Sequence, residues 1–125
     1  MALSFDGAAP VVLDRPYRPF AFDGGSRTEC TLLDGPVRDL NLIADEARVD
    51  ASLEIHRLGP GTPLQISAGE IALLHAIAGN FAVTIDDRRI AFASGDTLRL
   101  DGANVSVAAL DDRAVLAHAA IERRR

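Results

Sequence analysis

The apolar runs in this chain are short and repeatedly interrupted by Gly, Pro or Asp, which favours strands over helices, and the turn signals recur about every eight to twelve residues. Short apolar runs with turn residues between them are the pattern of strands joined by tight connections. The segment "FAVTIDDRRIAFASGDTLRL" shows it best: strands over 81–85, 88–92 and 96–100, with turns at Asp86-Asp87 and at "SGD". "ASLEIHRL" alternates, which sets Leu53 and Ile55, with Leu58 beside Arg57 as a further candidate, against Ser52, Glu54 and His56 and predicts one buried face. "VSVAAL" and "AVLAHAAI" flank Asp111-Asp112 at hairpin spacing, and the alanines of the second run leave a helix open there. The fold class that follows is all-β, an antiparallel sandwich or barrel.

A length of 125 residues suits one domain. The first 25 residues hold Phe5, Tyr17, Phe20 and Phe22 but are broken by Pro10, Pro16 and Pro19, so they read as an extended arm or edge strand. The predicted organisation is a single domain over 1–125, with arm and edge strands over 1–45 and a barrel over 50–120. "LLDGPVRDLNLI", residues 32–43, reads as strand, turn at Gly35-Pro36, strand.

A net charge of −5 argues against binding a phosphate backbone, which needs a dense positive surface. Without a basic and apolar leader or about 18 consecutive apolar residues, neither secretion nor a membrane span is expected. Cys30 is the only cysteine, which fits a reducing, cytoplasmic setting.

The stretch "GEIALLHAIAGNFAVTIDDRRIAFASGDTLRL" has the layout of a cupin barrel, and a metal-binding cupin would carry His-x-His and Glu after its first Gly and a further His after its second. Here His75 follows Gly69 at the right distance, but Ile77 and Leu98 stand where two further ligands belong. One imidazole does not hold a metal against water, so no metal ligands and no cofactor are expected. His75 reads as a core or barrel-lining residue, His56 as facing solvent or the lumen, and His118, set among alanines, as structural.

"RPYRPFAFDG" followed by "TLLDGPVRDLNLI" resembles the HutD/Ves family, through "PFAFDG" at 19–24, "LLDGPVRDLN" at 32–41 and "GD" at 95–96. Members of that family are built as two fused cupin-like halves and are associated with bacterial histidine utilisation; the likeness here is to the C-terminal portion. The resemblance implies a cupin-like double-stranded β-helix, or jelly roll, and singles out Asp34, Gly35, Pro36, Arg38, Asp39 and Asn41. It implies a metal-free, non-enzymatic binding or regulatory protein that recognises a small carboxylate of histidine degradation. Arg38, Asp39, Asn41, His56 and His75 are the expected ligand-binding residues, and Arg38 and Asn41 would supply the donors. Two alternatives stay open: a degenerate cupin enzyme, isomerase or hydrolase, with His75 and His56 as acid and base, or a scaffold without a ligand. A single barrel in place of two fused ones would leave apolar surface in water, so a homodimer is expected, with Tyr17, Phe20 and Phe22 buried at its interface or else folded back onto their own barrel; the alternative is a monomer whose arm covers the patch.

Overall fold

The computed structural model describes residues 1–67 and 69–125, and all of the regular structure in them is β. The chain divides into two compact units, Met1–Ile43 and Ala44–Arg125.

The first unit holds three strands, β1 (Ala2–Phe5), β2 (Val11–Val12) and β3 (Thr28–Thr31), in the antiparallel order β2-β1-β3. The stretch read as an arm therefore pairs with itself. The rings of Phe20 and Phe22 lie 6.1 and 5.2 Å from that of Phe5, so the "PFAFDG" segment folds back on β1. Residues 32–43 form no strand, which corrects the strand-turn-strand reading. Leu32, Leu33, Val37, Leu40 and Ile43 are all exposed, so no neighbouring strand pairs with the segment to bury them. The turn at its centre is nevertheless present, with Gly35 at φ 77°, a conformation that glycine adopts at little cost.

The second unit contains β4 (Val49–Leu58), β5 (Leu64–Ser67), β6 (Ile71–Ala78), β7 (Asn80–Ile85), β8 (Arg88–Ala93), β9 (Thr97–Asp101), β10 (Asn104–Ala109) and β11 (Ala114–Arg123). They form two four-stranded antiparallel sheets, β5-β10-β7-β8 and β4-β11-β6-β9. Apart from the β7-β8 hairpin, successive strands fall in different sheets, which is the jelly-roll arrangement expected from the sequence. The three strands expected over 81–100 are present within one residue of the expected bounds, with β9 in the other sheet, paired with β6 rather than with β8. The alanine-rich run that left a helix open is a strand, because β11 pairs along its whole length with β4 and along most of it with β6.

Between the sheets lies the core. Val105 and Val107 of β10, Phe81 and Val83 of β7, and Ala72, Leu74 and Ala76 of β6 enter it at every second position. Phe81 and Phe92 face one another across β7 and β8 with ring centroids 5.2 Å apart. At the corner between β6 and β7, Gly79 takes φ 87°, and the Asp111 carboxylate accepts hydrogen bonds from both the backbone N–H and the side-chain amide of Asn80, at 3.0 and 3.1 Å.

Candidate functional site

The register of the second sheet decides where each histidine points. Residues opposite one another across an antiparallel pair share a face, as do residues two apart along a strand. His118 of β11 stands opposite Glu54 of β4 on one side and Leu74 of β6 on the other. His56 and Ala76 flank Leu116 in the same way. Leu74, Ala76 and Leu116 are core residues, so Glu54, His56 and His118 lie on the core-facing side of the sheet. β4 thus turns Leu53 and Ile55 away from the core, although they are half-buried while Ser52 and Glu54 are exposed, as the alternation predicts. Leu53 and Ile55 stand opposite Ala119 and Ala117 on the outer face, and of the apolar residues assigned to the buried face only Leu58 packs on the core.

These three side chains form a cluster in which one donor atom from each lies within 4.8 Å of the others. Glu54 Oε2 is 3.3 Å from His56 Nε2, and the His56 and His118 rings are stacked with centroids 6.2 Å apart. His56 Nε2 is cut off from solvent yet has no hydrogen-bond partner, since its contact with Glu54 is close in distance but wrong in direction for a hydrogen bond. Glu54 itself is largely exposed, so the cluster opens to water on the carboxylate side. Burial pushes the pKa of His118 below the ordinary imidazole value; the negative charge of Glu54 works against this and His56 adds to it. The neutral imidazole, with one free lone pair, is the form thereby favoured.

His75 stands opposite Ala117 and Thr97, on the outer face, and its Nδ1 lies 2.7 Å from Thr97 Oγ1. His56 and His75 are thus on opposite faces of one sheet, which removes the acid–base pair that the enzyme alternative required.

The other expected residues belong to the first unit. Arg38, Asp39 and Asn41 are exposed, and Asn41 Nδ2 donates to Asp39 Oδ2 at 3.2 Å. That leaves Asp39 bound to the amide rather than to Arg38. The five expected ligand-binding residues are not one constellation within either unit. The metal frame of Gly69, His75 and Gly95 does not include these residues: the Glu54-x-His56 spacing, which puts two donors on one strand face, is the signal in sequence that could have found them, and His118 set among alanines carries none. Pairing of β4 with β11 is what joins them.

A broader depression lies on the outer face of β5, β10 and β7, lined by Gln65, Ser67, Thr84, Asn104 and Ser106. Its amides and hydroxyls bond to one another across the strands and it holds no titratable side chain.

Two antiparallel sheets in jelly-roll order give the chain a cupin-like fold. The cupin-2 domain of an XRE family transcriptional regulator from Enterobacter cloacae shares the fold, with a TM-score of 0.50 and 23% identity over 65% of this chain and 88% of that one. The model of the HutD family matches residues 1–117, and the chain belongs to that family. A Pseudomonas putida relative, an uncharacterized 21.2 kDa protein in the hutC 3′ region, is 35% identical over 107 residues, 80% of this chain and 55% of its own length. The conserved protein of unknown function PA5104 from Pseudomonas aeruginosa PAO1 superposes with a TM-score of 0.83 and 28% identity, over 98% of this chain and 66% of that one. The chain thus spans about half the length of the curated relative that it matches.

Proposed function

We propose that this HutD-family cupin is a binding protein for a small carboxylate connected with histidine degradation, and that Arg38 and Asn41 supply the donors. The observation that carries the reading is the state of the 32–43 segment. Arg38 is exposed and makes no ion pair or hydrogen bond among the described residues, while Asp39, the nearest carboxylate in sequence, is taken up by Asn41. A guanidinium whose fork is open meets a carboxylate with two parallel N–H···O bonds, and the second amide hydrogen of Asn41 remains to add a third. Membership of the HutD family and the relative from the hutC 3′ region support this choice of metabolite class.

Thermal unfolding with and without N-formylglutamate, urocanate and glutamate tests the reading. One of these acids at about a hundredfold excess over Kd should raise the midpoint by several degrees. Arg38→Lys keeps the charge but not the fork and should lose most of the shift. No response to any of the three acids, or an equal response in the variant, would sink the proposal.

The same reading extends to assembly. Among the described residues, nine of the eleven exposed large hydrophobics lie in the first unit, Tyr17, Phe20 and Phe22 among them at 41, 40 and 46% exposure. Surface of this kind is uncommon on soluble monomers, and a two-fold dimer would cover it. Sedimentation at micromolar concentration should give twice the mass of the 13.3 kDa chain. Replacing Phe20 and Phe22 together by Ser should return it to one; a single-chain mass for the unaltered protein at every concentration rules the dimer out.

A further inference from the structure

We propose that Glu54, His56 and His118 are the protein ligands of a divalent transition-metal ion, held on the inner face of the jelly roll with positions left open toward solvent. The proposal is independent of carboxylate binding by Arg38, because all three residues lie in the second unit.

The donor set is the first argument. Two imidazoles and one carboxylate suit zinc and ferrous iron, and a three-ligand set leaves coordination sites for water or a small molecule. Geometry is the second. Donors about 2.0–2.2 Å from a common tetrahedral ion lie roughly 3.4 Å from each other. The Glu54–His56 separation of 3.3 Å already meets that spacing, and the full set lies within 4.8 Å. The remainder is of the size that rotation of the two rings and of the exposed Glu54 side chain spans.

The third argument is the orphaned atom. A buried imidazole nitrogen without a partner carries an unmet desolvation cost, and His56 Nε2 is in that position with a carboxylate oxygen beside it. A cation between the two would satisfy both. Leu74 and Leu116 wall the site on the core side, which strengthens the electrostatic interaction there. The exposed flank of Glu54 provides the entry path.

The site differs from the metal frame looked for in the sequence. It uses neither His75 nor any residue after Gly95 except His118, and it is assembled from two adjacent strands of one sheet.

The test is titration of the EDTA-treated, intact chain with Co2+, and then with Zn2+ as competitor. Stoichiometric Co2+ binding with ligand-field absorption in the visible, displaced by Zn2+, is the expected result. His56→Asn and His118→Asn should each weaken Co2+ binding by more than roughly a hundredfold, since losing even an outer-shell partner costs about 10–100-fold. His75→Asn, on the other face, should leave it unchanged. Glu54→Gln, at an exposed side chain, keeps the test decisive if a histidine variant fails to fold, and should also weaken binding. Histidine ring resonances of the unaltered protein provide a readout that needs no variant: those of His56 and His118 shift on Zn2+ addition and those of His75 do not. Absence of Co2+ binding, or binding that survives both Glu54→Gln and His118→Asn, means a stacked histidine pair that holds no ion, and overturns the proposal.

Discussion

Phe81→Ala should lower the stability of the jelly roll by about 3–5 kcal/mol, a large part of the roughly 5–15 kcal/mol that holds a domain of this size. Phe81 is the largest fully buried side chain, and it stacks on Phe92, which is itself buried. Truncation loses the transfer energy of the ring and leaves a cavity that rigid strands on both sides do not close. In urea the midpoint of the main transition should fall sharply with little change in slope. Ile90→Ala is the control. Ile90 stands on β8 two residues before Phe92, but is 37% exposed, so its removal should cost far less. Equal shifts from the two substitutions would mean that the core is not packed around the Phe81–Phe92 pair.

The second large effect is expected at the corner between β6 and β7. A Cβ built on Gly79 would lie 2.6 Å from Asp111 Oδ1 and 2.9 Å from the backbone Cα of Ala114. Neither neighbour is free to retreat. Asp111 is held by its two bonds to Asn80, and Ala114 opens β11 opposite Leu58. Gly79→Ala therefore combines a positive φ, worth about 1–2 kcal/mol, with overpacking worth about 1–3 kcal/mol. A loss of roughly 2–5 kcal/mol is the expected sum. Gly95 has a similar φ of 92° with nothing within 4 Å of a built Cβ, so Gly95→Ala should show the conformational part only. If the two glycine variants unfold at the same denaturant concentration, crowding at the corner is refuted.

Strand positions were legible wherever turn chemistry was strong. Asp86-Asp87 and Ser94-Gly95-Asp96 bound β8 on its two sides, and Asp86 takes the positive φ of 52° that a tight turn demands. The facing of β4 was not legible, because apolar side chains occur at both parities of that strand and a period of two does not say which parity meets the core. Residues 32–43 show a related limit: apolar residues at strand-like spacing make a strand only when another strand pairs with them, and none of the three strands of the first unit does. The histidine cluster was half visible. Glu54 and His56 share a strand face on spacing alone, but His118 joins them only through the register of β11 on β4, which a single sequence does not display.

That register has a consequence for how the chain folds. β11 carries apolar residues on both sides: Leu116 on the inner face, Val115, Ala117 and Ala119 on the outer, all buried. A slip of one residue against β4 would exchange one set for the other at little hydrophobic cost, so greasiness alone barely distinguishes the native alignment from its nearest competitor. Discrimination falls to features that do not repeat. The irregularity where Val115 and Leu116 face Ala78 and Ala76 admits one alignment with β6, and the Asp111–Asn80 clamp anchors the approach to β11 at the Gly79 corner. The out-of-step alignment would separate His118 from Glu54, so the contacts that pin the start of β11 also hold the histidine cluster together.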